Sequence, residues 1–458
     1  MQINERVIRL NNRPILERAK YVLYWMQIFK RIEYNHSLVW AIRRANELNL
    51  PLIVYEGLKY YYPWANDRLH TFILEGVEEK LLGFEKLGIR YIFYLQENSK
   101  SPRNVVAELA RDAALIVTDD YPCFIIPQHN KRIAELSDIA VEAVDSTGII
   151  PMSKFKTEEY AAYTIRPKIN KLLPQYLVPF REEKVRHSSL TLKIDCPRTD
   201  VNAANIPKLV SACDIDHSVP PSAYYKGGRK QGLKRLKKFI DEILPRYHET
   251  RSKPEIDGSS RLSSYLHFGY ISPLEVALAV KSAKAPQPAK AAFLEELIVR
   301  RELSFNMTRH NPNYDSLDAL PEWAKETMRE HIEDERQFIY SLEQLEAAET
   351  HDELWNAAQR EMLQTGEMHN YIRMLWGKNV IAWSRSYEEA FATLVHLNNK
   401  YCLDGRDPNS YAGILWCFGK HDRPWAERPV FGKIRPMTSQ STGRKFDARR
   451  YIEWTLTL

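Results

Sequence analysis

The sequence predicts a two-part molecule: an amino-terminal α/β domain built on a Rossmann-like parallel sheet, then an all-α carboxy-terminal domain. Three observations carry this. Between Tyr21 and Tyr121, short runs rich in β-branched and aromatic residues alternate with segments of helical periodicity. From Pro174 to Pro221 the text is rich in Pro, Ser, Asp and Lys and loses its period. From Arg229 onward the apolar residues recur only at helical spacing. A chain of 458 residues is long enough for two or three domains that each bury a core. The expected boundaries are 1–173 for the α/β domain, 174–228 for the linker and 229–458 for the helical domain.

Taken in order, YVLYWM at Tyr21 to Met26 reads as a buried strand. A helix is expected from Lys30 to Asn49, with Leu38, Val39, Ile42, Ala45 and Leu48 on one face. The next strand is Leu50 to Leu58, followed by a helix from Asp67 to Leu87. A strand at Ile89 to Leu95, a helix near Asn104 to Asp112 and a strand at Ala114 to Tyr121 continue the alternation. Continuous apolar strands joined by helices imply a parallel sheet covered on both faces. No GxGxxG follows the first strand and no GxxxxGK[ST] occurs, so dinucleotide or triphosphate binding has no support there. The linker is expected to cross the surface and end at Gly227 and Gly228. Beyond it, Leu233, Leu236, Phe239, Ile240 and Ile243 form an apolar stripe. In FLEELIVRRELSF, Glu295 and Arg301 are expected on a solvated face, and a charged helix is expected from Pro321 to Leu345.

Composition narrows the function classes. Hydrophobic content of 44% with 27% charged residues is that of a globular protein. The charged start lacks a signal-peptide core and no apolar run approaches a bilayer span, so an intracellular, cytoplasmic protein without membrane contact is expected. Five cysteines lack CxxC pairing and metal-ligand spacing, which points to free thiols and to no metal. The net charge of +6 is local: from Lys420 to Arg450 there are nine Lys or Arg against three acidic residues. Such a stretch is either a solvated tail or a contact for a phosphate backbone.

The stretch from Trp355 to Trp425 holds five of the ten tryptophans. Trp376 and Trp383, seven residues apart, share one helix face about 10 Å apart along the axis. Alone they would be core filler. Their company is polar: Arg373, Asn398, Asp404, Arg406, Asp407 and Asn409 cannot be buried without partners, so the segment calls for a polar ligand. Upstream, Ser259, Ser260, Ser263 and Ser264 crowd the approach to a helix, where hydroxyls and free amides can meet an anionic group.

At GEMHNYIRMLWGK, LNNKYCLDGRDPNSYAGILW and HDRPWAERPVFGKIR the chain resembles the photolyase and cryptochrome family, and within it the class II cyclobutane pyrimidine dimer photolyases. SSRLSSYLHFG and EELIVRREL extend the resemblance, which runs with weaker stretches over nearly the whole chain. It implies a carboxy-terminal FAD-binding domain, with FAD held through Tyr247, Ser260, Leu262, Ser263, Arg373, Asn398, Asp404 and Asp407. Asn398 would face flavin N5, and Arg373 and Asp404 would make an ion pair beside the ring. Trp376, Trp355 and Trp383 would be the proximal, middle and distal members of a photoreduction chain. Glu296 would be a buried, protonated carboxyl bonded to the lesion, with Arg251 paired to it or to substrate. Met374 and Trp416 would wall the lesion pocket. Asp422, Arg423 and Trp425 would fill the gap left by a flipped lesion in double-stranded DNA. The family pattern has Asn after the arginine of Tyr247-x-x-x-Arg251, where this chain has Ser252. The amino-terminal domain of the family can hold a second, antenna chromophore, of unassigned identity here. The expected function is a monomeric light-driven DNA repair lyase, associated with the nucleoid when bound to DNA. The alternative is a cryptochrome-like flavin photosensor.

Overall fold

The structure, a computed structural model, describes residues 3–458. Six strands, β1 (Val7–Arg9), β2 (Tyr21–Met26), β3 (Leu52–Lys59), β4 (Arg90–Gln96), β5 (Ala113–Asp120) and β6 (Ala140–Asp145), form one sheet in the order β1-β6-β5-β2-β3-β4. All pairings are parallel except the short edge strand β1, which runs antiparallel to β6. Every residue of β5 and β6 is buried, as a sheet covered on both faces demands. Helices α1 (His36–Glu47), α2 (Asp67–Leu74), α3 (Val77–Lys86), α4 (Val105–Ala110) and α5 (Ile126–Leu136) supply the cover. After β4 the chain returns to the other side of β2, so strand order reverses between β2 and β5. Open sheets bind ligands beyond the strand carboxyl ends at such a point.

Several expected elements differ from those observed. Helix α1 starts at His36, not Lys30, because Asn35 caps it by accepting from the Leu38 amide at 3.1 Å. The preceding residues instead bury two cations. Lys30 pairs with Glu56 at 2.9 Å, and Arg31 donates to the Gly269, Tyr34 and Ser146 carbonyls. The helix expected over Asp67–Leu87 breaks at Gly76, where a Cβ would lie 2.5 Å from the Tyr270 ring. Strands β1 and β6 were not expected. The charged helix expected to Leu345 ends at Glu330, and the chain from His331 to Tyr340 is irregular because HIEDERQFIY has no apolar stripe to dock. It braces other segments: Asp334 accepts from the Val430 amide at 2.7 Å, and Arg336 donates to the Ser384 carbonyl at 3.2 Å.

Arg301 is not on a solvated face. It is 8% exposed and donates to the Thr147 carbonyl at 2.7 Å. Glu295 is partly exposed and pairs with Arg166 at 2.7 Å. A π-helical stretch, Glu295–Arg300, separates the helices Gln287–Leu294 and Arg301–His310. Its wider turn rotates the later face inward and carries Glu302 to the Ile149 amide at 2.8 Å.

Helix α6 (Ala162–Tyr176) leads into an irregular crossing that lies along the sheet edge, with the Thr199 amide donating to the Phe93 carbonyl at 2.7 Å. The carboxy-terminal half is helical. Its packed center is built from Glu353–Thr365, Asn370–Trp383, Tyr387–Tyr401 and Pro408–Cys417. Arg68 of α2, 1% exposed, locks this center to the α/β half. Its guanidinium donates to the Met362, Leu363 and Tyr401 carbonyls at 3.2, 2.5 and 2.9 Å. These are the ends of two helices, where a cation meets both free carbonyls and the negative end of the dipole. Gly366 closes the first of them at φ 82°, a conformation that favors glycine.

Candidate functional site

The tryptophans come together through helix packing rather than along one face. Trp355, on Glu353–Thr365, lies flat against Trp376 of Asn370–Trp383, with ring centroids 6.4 Å apart and planes 8° apart. It meets Trp383 edge-on at 5.6 Å. Trp355 is therefore the bridge, giving the row Trp376, Trp355, Trp383. The indole N–H groups fix the row: Trp355 donates to the Trp376 carbonyl at 3.0 Å and Trp376 to Gln359 Oε1 at 2.9 Å. All three are nearly buried.

One turn before Trp376 on the same helix, Arg373 grips Asp404 through Nη2 at 2.8 and 3.0 Å and donates to the Met368 carbonyl at 3.2 Å. Its side chain keeps 24% exposure although it stands among buried helices, so it borders open space inside the domain. Asp407 caps Pro408–Cys417 by accepting from the Asn409 amide at 2.8 Å. Its other oxygen accepts from the Tyr121 hydroxyl at 2.8 Å and meets His267 Nδ1 at 3.2 Å. Burial would raise the Asp407 carboxyl, but the hydrogen bond and charge of His267 outweigh it and hold the group down at about 2. Asn398 donates to Asn399 Oδ1 at 3.3 Å, and the buried Asn399 Nδ2 and His369 Nε2 have no partner.

The serine loop is positioned by two arginines. Arg235 donates to the Ser259 and Ser260 carbonyls at 2.9 and 2.8 Å. Arg261, at φ 52°, turns inward to Glu361 at 2.8 Å and lies 3.9 Å from Glu367, which accepts from Ser264 at 3.0 Å. Leu262 is buried and Ser263 is exposed. The helix that follows, Ser263–His267, has only five residues, so its dipole is smaller than the sequence suggested. Tyr247 packs edge-on against Phe239 and Phe293.

Arg251 and Glu296 form an ion pair at 2.6 Å, with 40% and 34% of their side chains exposed. The expected burial of Glu296 is therefore not met: its carboxyl group is part-exposed and is engaged by the Arg251 guanidinium. Ser252 lies on the exposed turn after Arg251. Across the helical half, Met374 and Trp416 are half-buried, and Arg300 lies over the Trp416 ring at 5.5 Å. Gly413, one turn before Trp416, is exposed, and a Cβ there would meet nothing within 4 Å. Trp425 is 39% exposed, with Arg423 and Arg435 over its ring at 5.3 and 5.0 Å. Asp422 accepts from its indole at 3.5 Å.

These residues fit a flat, polar-edged cofactor. Open space beside Gly413, a partly accessible Arg373–Asp404 pair and a buried His369 Nε2 with no partner among the described residues are what a ring system with carbonyl and nitrogen acceptors would satisfy. Sequence reasoning missed His267, Arg261 and Tyr121. Each acts across 100 or more residues, and no local pattern marks it.

A cavity of about 620 Å³ opens at the carboxyl ends of β2, β3 and β5. Lys30, Lys59, Arg103, Arg132 and Arg406 line it without a single Asp or Glu, among aromatic rings that include Trp25 and Tyr55. His129 stacks on Trp25 with centroids 5.9 Å apart; burial, then Lys59, pushes its imidazole down to about 4. His267, Phe268 and Arg406 form the inner wall. Among the described residues no group of three or more His, Cys, Asp or Glu is placed to hold a metal, and the five cysteines are free. Among the described residues no helix is long and apolar enough to cross a membrane.

A family model described as DNA photolyase matches residues 22–185. The deoxyribodipyrimidine photo-lyase of Methanothermobacter thermautotrophicus is 40% identical over 451 residues, covering 98% of this chain and 97% of that one. The enzyme of the same name from Arabidopsis thaliana is 37% identical, over 97% of this chain and 90% of its own. Among solved structures, an archaeal photolyase from Sulfolobus tokodaii with two FAD molecules superposes with a TM-score of 0.66 at 19% identity, over 94% of this chain and 90% of that one. This last likeness speaks to the fold alone.

Proposed function

This chain belongs to the photolyase and cryptochrome family, and from that premise we infer that it is a deoxyribodipyrimidine photo-lyase, an enzyme that splits cyclobutane pyrimidine dimers in DNA under light. A photosensor without repair activity is not favored, because four relatives at 35–40% identity all carry the photo-lyase name. The finer reading, class II, rests on the motifs around Trp376, Asn398 and Trp425.

The residues around Arg373 and Asp404 would hold FAD, which when bound, reduced and excited by blue or near-UV light would supply the electron that opens the cyclobutane ring. The chain's own residues do the rest. Arg373 and Asp404 would set a paired charge beside the ring system, Asn398 would offer it an amide, and Asp407 keeps a negative charge in its loop. Tyr247, Ser260, Leu262 and Ser263 would hold the remainder of the cofactor. Met374 and Trp416 give flat, apolar walls to two fused bases, and Arg251 and Glu296 present a donor and an acceptor to their polar edges. Arg423 and Trp425 stand where a duplex would be left with a gap, and the nearby cations hold phosphates without reading sequence. Trp376, Trp355 and Trp383 carry electrons inward from the surface to restore the reduced state. The unbroken contact of that row, ending one helical turn from the Arg373–Asp404 pair, is the observation that supports the reading most. The protein acts inside the cell as a monomer on double-stranded DNA.

The cavity at the sheet takes an antenna chromophore. Its lining without carboxylates selects an anionic molecule, and its aromatic walls a planar one. The test of the main reading is irradiation of the purified, reduced protein with dimer-containing DNA. Loss of dimers in light and not in darkness supports it; unchanged dimers under light defeat it.

A further inference from the structure

We propose that Arg300 is a substrate-contacting residue of the repair reaction: its guanidinium, laid over Trp416, donates to a carbonyl oxygen of the flipped-out dimer and holds the negative charge the dimer carries between gaining and returning an electron. The proposal rests on reading the protein as a repair lyase. It adds a fixed cation to a wall otherwise made of flat, apolar side chains.

Arg300 ends the π-helical stretch Glu295–Arg300. It comes four residues after Glu296, about one helical turn, so the two side chains leave the helix on the same side. Its Cζ lies 5.5 Å from the centroid of the Trp416 ring. His421 braces that indole edge-on, with centroids 5.9 Å apart and planes 74° apart. Two lesion-facing candidates, Glu296 and Trp416, thus flank a guanidinium whose side chain keeps 37% exposure.

Neutralizing a nearby acid is the ordinary reason for an arginine in such a place, and it does not apply. Glu295 Oε1 lies 3.5 Å from Arg300 Nε, but both oxygens of that carboxylate already accept from Arg166, at 2.7 and 3.2 Å. Among the described residues nothing accepts a hydrogen bond from the Arg300 guanidinium, whose contacts are the Trp416 ring and this distant acid. A planar group with all its donors unused matches a ligand that brings carbonyl or anionic oxygens. The contact with the indole holds that cation at the wall.

The chemistry calls for such a group. An electron added to a pyrimidine places negative charge on its carbonyl oxygens. The dimer gains one electron, the two carbon–carbon bonds that fuse the bases break, and one electron leaves, so electrons balance and no atom is exchanged. Arg300 takes no part in that transfer and keeps its proton throughout. A cation in place before the charge arrives stabilizes it without reorganization.

The experiment uses chemically reduced holoprotein with dimer-containing and undamaged duplexes of one sequence. Arg300→Gln is expected to bind the dimer duplex about tenfold more weakly, with affinity for the undamaged duplex unchanged. At saturating DNA it repairs fewer dimers per absorbed photon, and Arg300→Lys, which keeps the charge, retains more of that yield than Gln. Dimer affinity and photon yield both intact in Arg300→Gln overturn the proposal. So does an equal loss for both duplexes, which makes Arg300 a backbone contact, or a Lys variant no better than Gln. The unaltered protein separates the two levels: no loss of dimers under light defeats the repair reading itself, whereas repair that Arg300→Gln leaves untouched defeats only the role given to this arginine.

Discussion

Replacing Arg261 with Met tests how the serine loop is held. The guanidinium is 9% exposed and bonds Glu361, itself 1% exposed, at 2.8 Å, with Glu367 at 3.9 Å. Its own pKa is raised: burial opposes the charge, but Glu361 and the other anions around it outweigh that cost. Methionine fills much of the same volume yet leaves two buried carboxyls without their cation. Breaking a buried pair by removing one partner costs about 3–5 kcal/mol. The unfolding free energy from urea melts near neutral pH should fall by that amount, and the midpoint by that amount divided by an unchanged slope. The pH dependence has a defined sign. Burial already raises the Glu367 carboxyl despite Arg261, and losing Arg261 raises it further. A raised folded carboxyl makes the variant lose stability as pH rises through its unfolded and then its folded value, so the deficit grows from acid toward neutral pH. Adding Glu361→Gln removes one stranded charge and should recover part of the loss. A deficit below about 1 kcal/mol, or a double variant no better than the single one, would refute the assignment of this arginine as a buried charge clamp.

Three other outcomes follow from the same reasoning. Trp376→Phe should abolish photoreduction of the bound cofactor while chemically reduced protein still repairs dimers, because the two electron routes leave the site differently; dimer assays after dithionite treatment check this. Asp407, held at about 2, contributes stability that is present above the unfolded carboxyl value near about 3.9 and is lost as pH falls through about 2. Asp407→Asn should flatten that acid limb by about 2 kcal/mol, read from urea midpoints across the window. Lys378 is 0% exposed, and burial pushes it down to about 8. Because the unfolded lysine binds its proton more tightly, stability at this site rises between about pH 8 and about pH 10.4. Lys378→Met should remove that rise and leave stability at neutral pH equal or higher, even without the bond to the Cys417 carbonyl, as melting curves across that range would show.

The sheet was legible where burial on both faces forces unbroken apolar runs, as in AALIV at the start of β5. The edge strand β1 has only three residues, none fully buried, and leaves no such run. The tryptophan row was half legible. Spacing placed Trp376 and Trp383 on one helix, but the flat contact with Trp355 depends on how Glu353–Thr365 crosses that helix. Arg301 shows why charge patterns mislead: EELIVRREL reads as alternating ion pairs on a straight helix, and the π-helical turn that redirects its face has no sequence mark. Arg68, Arg261 and His267 look like surface residues in text because their partners lie 100 or more residues away.

His267 links the two sites: it lines the cavity at the sheet, and its Nδ1 meets Asp407, the cap of Pro408–Cys417. Two guests would thus share one side chain between them. A shift of that imidazole favored by a molecule in the cavity would alter the fit of the other guest, and equilibrium thermodynamics would make the influence mutual and equal in size. Titrating one guest with the other present and absent would measure that linkage directly, with His267→Phe as the version in which the messenger is silent.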